Sequence, residues 1–303
     1  MSIVVGFGSD TRSTAALDLA AEIAHTTNEE IVLVSVVQDS WDSLRDFAGV
    51  DDEWRRQVRG QAAEALDAAN AHLGEHEATS RIRTGRSVPQ SLLEETRELG
   101  ARLVVTGSAT HGALGRIAFG STNDRLAHSA ETPVAIAPRG YVAHPQGIER
   151  LVVAVDPTAS DEALAQPVAD LATWLGVPVE IVTFAVRSGS RSAMATFADQ
   201  GTRRAWSELV REHQLRLAER IREIAPEIVV STVQVLTGER WSLALESYGW
   251  RGGDLLAVGS SQHGPAARVF VGSTATRIVN HSPVPVVLLP RPTPARTSRL
   301  RKR

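Results

Sequence analysis

The chain has 303 residues, 43% of them hydrophobic, with no cysteine and a formal charge of −3. That length and apolar content are enough for two domains with full cores, and the lack of cysteine excludes disulfides, thiolate nucleophiles and cysteine metal sites. Lysine occurs once, at Lys302, so the folded body has neither a Schiff-base lysine nor a P-loop lysine.

Apolar periodicity predicts strands alternating with helices along the chain. Residues 3–7 read as a buried strand and 15–24 as a helix with Ala16, Leu17, Ala20 and Ile23 on its apolar side. A strand at 31–37 follows, then a helix at 54–73 ended by Gly74 and a third strand near 79–84. A helix at 89–99 stops at Gly100, where glycine suits the left-handed cap. The fourth strand is 103–106, a helix begins near Ser121, and 133–137 is the fifth strand. The second half repeats this order, with strands at 151–155, 179–186, 228–236, 255–258 and 284–289. Its helices are predicted at 162–175, 201–224, 241–248 and 273–281.

Domains at 1–140 and 149–290 are therefore expected, joined by a linker at 141–148. Residues 291–303 form a basic tail read as flexible, with six cations, so the rest of the chain carries −9 (−3 − 6). An acidic body speaks against nucleic acid as the partner. No apolar run nears the ~18 residues of a membrane span and no signal peptide is read at the N-terminus, so a cytoplasmic protein away from membranes is expected.

Alternating strands and helices imply a parallel sheet covered on both faces. Ligands of such sheets bind beyond the carboxyl ends of the strands, where strand order reverses. A repeated segment starts at such an end. Gly107-Ser108-Ala109-Thr110-His111-Gly112 returns 152 residues later as Gly259-Ser260-Ser261-Gln262-His263-Gly264. The match runs without a gap through Arg116/Arg268 and Gly120-Ser121-Thr122/Gly272-Ser273-Thr274 to Pro133-Val134/Pro285-Val286. Such a period marks two copies of one domain.

The glycines let the backbone turn and let a ligand approach. The serine before each helix suits an N-cap, and the amides and dipole of a helix start attract an anion. Arg116 and Arg268 are candidate cations, and His111 and His263 are candidate phosphate or ribose contacts or plain loop residues. Two readings stand: a phosphate-binding loop in duplicate, or ordinary strand-to-helix punctuation.

Enzyme signatures are missing. Gly6-Phe7-Gly8 lacks the third glycine of a dinucleotide fingerprint, since Thr11 stands there. No nucleophile elbow or His-Glu-x-x-His is found, and no catalytic or metal-binding residue is assigned. At most slow ATP hydrolysis is left open. The tryptophans read as core and interface anchors, with Trp241, Tyr248 and Trp250 marking a surface particular to the second half.

The pattern of a strand, Gly107-x-x-Thr110, nine residues, Gly120-Ser121 and a helix, repeated at Gly259-x-x-Gln262 and Gly272-Ser273, resembles the universal stress protein family in its tandem form. The resemblance covers nearly the whole chain. It implies an α/β fold of two Rossmann-like (adenine nucleotide alpha hydrolase-like) domains, each a five-stranded parallel sheet of order 3-2-1-4-5. It also implies ATP, with or without Mg²⁺, as ligand of a cytoplasmic stress-response module. Adenine would lie near an Asp after the first strand and by the backbone of Val36 and Phe184, with the phosphates on the Gly-Ser loop. That Asp is Asp156 in the second repeat, and Gly8 takes its place in the first with Asp10 two residues on. The middle glycine of the family motif is Thr110 or Gln262, glycine having moved to Gly112 and Gly264. Fifth strands of the family meet across a two-fold axis, so an internal pseudo-dimer of the repeats and a homodimer of chains are implied. A scaffold of the same fold without nucleotide is the alternative.

Overall fold

The computed structural model describes residues 2–8, 14–38, 48–156, 161–186, 200–232, 235–259 and 273–290. In the first half β1 (Ser2–Gly6), β2 (Glu30–Gln38), β3 (Ala78–Gly85), β4 (Leu103–Gly107) and β5 (Val134–Ala137) alternate with α1 (Thr14–Thr27), α2 (Ala48–Leu73), α3 (Val88–Leu99) and α4 (Ser121–Ser129). The second half has β6 (Arg150–Ala154), α5 (Ala165–Leu175), β7 (Val179–Val182), β8 (Phe184–Val186), α6 (Gln200–Ile224), β9 (Val230–Thr232) and β10 (Leu236–Gly238). It closes with α7 (Trp241–Glu246), β11 (Asp254–Gly259), α8 (Ser273–His281) and β12 (Val286–Leu289).

Ten strands share one sheet, in the order β3-β2-β1-β4-β5-β12-β11-β6-β7-β9. Each half is thus a parallel 3-2-1-4-5 sheet. The two halves join where β5 and β12 run antiparallel, pairing Val134 with Leu288, Ala135 with Val287 and Ile136 with Val286.

The central strands are apolar because both their faces are covered, whereas β3, at the outer edge of the sheet, is polar and largely exposed. Successive residues of β1 and β4 point to opposite sides, as a two-residue period requires. Ile3, Val5, Leu103 and Val105 pack with α1 residues such as Leu19 and Ile23. Val4 and Val104 pack with Leu92 of α3 and Leu126 of α4. In the second half the first layer holds Val168 and Ile221, and the second holds Leu245 and Ile278. Gly100 caps α3 with φ 59° and donates its N–H to Arg97 O.

One long predicted strand is broken. The segment predicted at 179–186 splits at Thr183, a fully buried residue whose Oγ1 accepts from Gln214 Nε2 of α6 at 3.0 Å. Beyond it β8 leaves the main sheet and pairs with β10. Of the segment predicted at 228–236, β9 covers Val230–Thr232 and β10 begins at Leu236, residues 233 and 234 lying outside the described residues. An apolar pattern reports burial and cannot see a buried polar pair satisfying itself across the sheet–helix layer.

The segment between the halves is docked. Glu22 of α1 is 2% exposed, and its Oε2 accepts from Tyr141 O–H at 2.5 Å and from His144 N–H at 3.2 Å. Thr26 Oγ1 accepts from Ile148 N–H at 2.7 Å. Trp174 of α5 donates to Glu29 Oε1 at 3.2 Å, a further tie between the halves.

Burial pushes the Glu22 carboxyl above its ordinary range, against the lowering effect of its Tyr141 and His144 hydrogen bonds. An acid with a raised native pKa holds its proton when the unfolded chain has lost it. Its stabilising share is complete below the unfolded value and disappears as pH rises through the native one. Glu22→Gln keeps a carbonyl acceptor for Tyr141 and cannot ionise. The variant should therefore melt higher than the parent at neutral pH, with the gap closing toward pH 4, as thermal melts across that range will show.

Candidate functional site

At the carboxyl ends of β1, β2 and β4 lies a cleft of about 320 Å³. It sits between β1 and β4, where strand order reverses, the expected ligand position of such a sheet. Val34, Val36, Val88 and Leu92 give it an apolar wall, and Gly6, Phe7 and Gly8 continue β1 into it. The polar side comes from Thr106 to Thr110 and from Gly120 to Asn123.

The loop after β4 is held by its own hydrogen bonds. Ser108 N–H donates to Ala137 O, Ala109 N–H to Ala118 O, and Gly112 N–H to Ala109 O, at 2.9 to 3.1 Å. Ser108 Oγ accepts from Ala118 N–H at 2.8 Å, and Asn123 Nδ2 donates to Gly107 O at 2.9 Å. These bonds consume loop amides that a phosphate-cradling loop would offer. The donors facing the cleft shift to the start of α4. The first intrahelical bond there is Asp124 N–H to Gly120 O, so the amides of Ser121, Thr122 and Asn123 precede the helical ladder.

Several expectations change in detail. The N-cap of α4 is Gly120, with φ −99° and ψ 175° and no side-chain cap bond, so Ser121 is the first helical residue and is exposed. Gly112 serves loop packing, since a Cβ there would lie 2.9 Å from Ala118 Cβ. Arg116 is outside the cleft lining: its Nη2 meets Glu246 Oε1 at 2.9 Å and its Nη1 meets Gly115 O at 3.2 Å. His111 lines a different cleft. Gly107, Ser108, Thr110, Gly120, Ser121, Thr122 and Val36 do come together.

In the sequence Thr106 is the last residue of the predicted fourth strand. The residue is 4% exposed, it lines the cleft, and its Oγ1 has no hydrogen-bond partner among the described residues. A buried hydroxyl left unpaired beside a cleft is costly unless a ligand or water meets it. The signal was present in the sequence, as a polar residue ending an otherwise apolar strand.

In the second half Gly259 ends β11, Ser273 opens α8 with Thr274 after it, and Asp156 is half-buried beyond β6. Ser260, Gln262, His263, Gly264, Arg268 and Gly272 lie outside the described residues, as does Asp10. Phe184, the counterpart of Val36, is 3% exposed. Its ring lies 6.3 Å from both Tyr248 and Trp250, which are 4.5 Å from each other. Trp241, Tyr248 and Trp250 are partly buried and pack against the core. Among the described residues no group of three His, Cys, Asp or Glu could hold a metal, and no helix is long and apolar enough to cross a membrane.

The universal stress protein family model matches residues 1–138 and again 147–290. The chain belongs to the universal stress protein family. A universal stress protein of Mycobacterium tuberculosis (strain ATCC 25618 / H37Rv) is 34% identical over 296 residues, covering 96% of this chain and 100% of the relative. One from Mycolicibacterium smegmatis is 25% identical over 295 residues, covering 95% and 96%. The crystal structure of a universal stress protein from Archaeoglobus fulgidus superposes with a TM-score of 0.56 at 18% identity, over 96% of each chain, a likeness of fold alone. This universal stress protein is a tandem one, both repeats falling on family matches.

Proposed function

We propose that the first half is an adenine-nucleotide-binding module, taking ATP with or without Mg²⁺, and that the protein acts as a nucleotide-responsive regulator in cytoplasmic stress adaptation. The observation that carries this reading is the pairing, in one cleft, of an apolar wall with a helix start and the unpartnered Thr106 hydroxyl. The base would lie against Val34, Val36 and Leu92, and the phosphates against the amides and hydroxyls of Ser121 and Thr122. Mg²⁺ would be held by the phosphates and hydroxyls, since the described residues that line this cleft include no carboxylate. A volume of about 320 Å³ falls within the range of small-ligand sites.

For the second half the scaffold reading is favoured, because Phe184, Tyr248 and Trp250 pack together where the first half keeps Val36 on an open wall. The halves, divided near 140 and 149, would then act as an internal pseudo-dimer, a reading supported by the antiparallel β5–β12 pairing. Chain dimers would be an additional level of assembly.

Denaturing the purified protein and analysing the supernatant should release adenine nucleotide. ATP with Mg²⁺ at 100 times Kd should add about 2.7 kcal/mol of apparent stability in a thermal-shift assay. Absence of both would leave the scaffold reading for the whole chain. Accumulation of ADP would add hydrolysis to the activity.

A further inference from the structure

The loop between β4 and α4 has two sides. Ser108 to Thr110 line the proposed nucleotide cleft. His111, Ala118 and Phe119 line a second cleft of about 370 Å³, whose other wall is Thr276 and Asn280 of α8 in the second half. One strip of backbone therefore separates the nucleotide from the opposite repeat.

That strip is also braced by an ion pair between the halves. Arg116 Nη2 lies 2.9 Å from Glu246 Oε1, with side-chain exposures of 30% and 50%. Both ends are mounted firmly. Arg116 N–H donates to Ala113 O, and Arg116 O accepts from Arg139 N–H at 3.0 Å. Arg139 Nη1 in turn reaches Gly112 O at 2.7 Å. On the far side Glu246 ends α7, where Ser247 Oγ–H donates to Ala244 O and Trp250 Nε1–H to Leu245 O, both at 2.8 Å.

We propose that Glu246, a residue of the second half, is a positioning residue for the nucleotide cleft of the first, holding the loop through Arg116 in its binding shape. The inference rests on the nucleotide reading above. A loop already ordered loses less freedom when the ligand arrives, so the brace raises affinity without touching the ligand.

The test measures ATP affinity by calorimetric titration in the full chain, for the parent, Glu246→Gln, Arg116→Glu and the double reversal Arg116→Glu/Glu246→Arg. A half-exposed ion pair predicts a loss of about two- to five-fold for Glu246→Gln. Arg116→Glu should be weaker still, and the double reversal should recover most of the loss. The advantage of the parent over Glu246→Gln should shrink in 1 M salt, which a purely packing role would not show. Equal affinity for parent and Glu246→Gln, tighter binding by Glu246→Gln, or no recovery in the double reversal would each overturn the inference while leaving the nucleotide site in place. A parent that binds no ATP would remove both.

Discussion

Replacing Gly120 with valine should abolish nucleotide binding by the first half while the chain still folds. Gly120 has extended backbone angles that any residue adopts, so its absent side chain is a matter of space. A Cβ there would lie 3.2 Å from Ala109 Cβ, tighter than ordinary contact. Both residues line the cleft, one at the start of α4 and one on the loop. The two further methyl groups of valine must either push the loop outward or fill the space beside the first amides of the helix. Either result removes the phosphate position proposed above. Affinity should fall by at least ten-fold, which is about 1.4 kcal/mol, with Gly120→Ala in between. Overpacking of this kind costs about 1–3 kcal/mol of stability, so circular dichroism should still report a cooperative melt. Unchanged affinity in the valine variant, measured by titration, would mean that the ligand lies elsewhere.

The largest stability effect should come from Asp254→Ala, far from that cleft. Asp254 begins β11, with a side chain 1% exposed. Arg150 of β6 grips it with two bonds, Nε to Oδ1 at 2.8 Å and Nη2 to Oδ2 at 2.7 Å. Arg251 N–H donates to the same Oδ2 at 2.8 Å. Arg150 also reaches Glu180 of β7, and its guanidinium lies 5.2 Å from the centre of the Tyr248 ring. The Asp254 bonds hold the Arg150 guanidinium firmly protonated. Removing the carboxylate leaves a largely buried cation with Glu180 as its remaining carboxylate in this network. Breaking one partner of a buried pair costs about 3–5 kcal/mol when the surviving charge is left unpaired, and because Glu180 still pairs with Arg150 the loss should fall at the lower end of that range. Urea unfolding should show a lower midpoint at unchanged slope. Replacing both partners with apolar residues, as in Arg150→Met/Asp254→Leu, should cost less than Asp254→Ala alone. If the single and double variants are equally unstable, the penalty is lost packing and not stranded charge.

The order of strands and helices was readable from the chain because burial on two faces writes itself as continuous apolar runs, as in Ile3 to Val5 and Leu103 to Val105. Helix ends were readable where a local conformation selects a residue type, as at Gly74 and Gly100, both with left-handed backbone. The duplicated loop showed that there are two domains and where a site could lie. Identities failed where several roles share one residue type. Gly112 serves packing against Ala118, and Ser121 starts the helix without capping it. Thr183 interrupts a strand that its apolar neighbours would continue.

By itself, then, the order of residues determined the period of 152, the alternation of elements and the placement of Gly107 and Gly120 around one turn, since these depend on hydrogen bonding and burial within short windows. Folding in three dimensions decided the rest. It brought Arg116 to Glu246, 130 residues away, and left the Thr106 hydroxyl unpaired beside the first-half cleft. It turned Tyr248 and Trp250 onto Phe184 in the second half, where the first half keeps Val36 on an open wall. Contacts of that kind are chosen by competition among all surfaces that meet on folding, and no short stretch of chain contains the competitors.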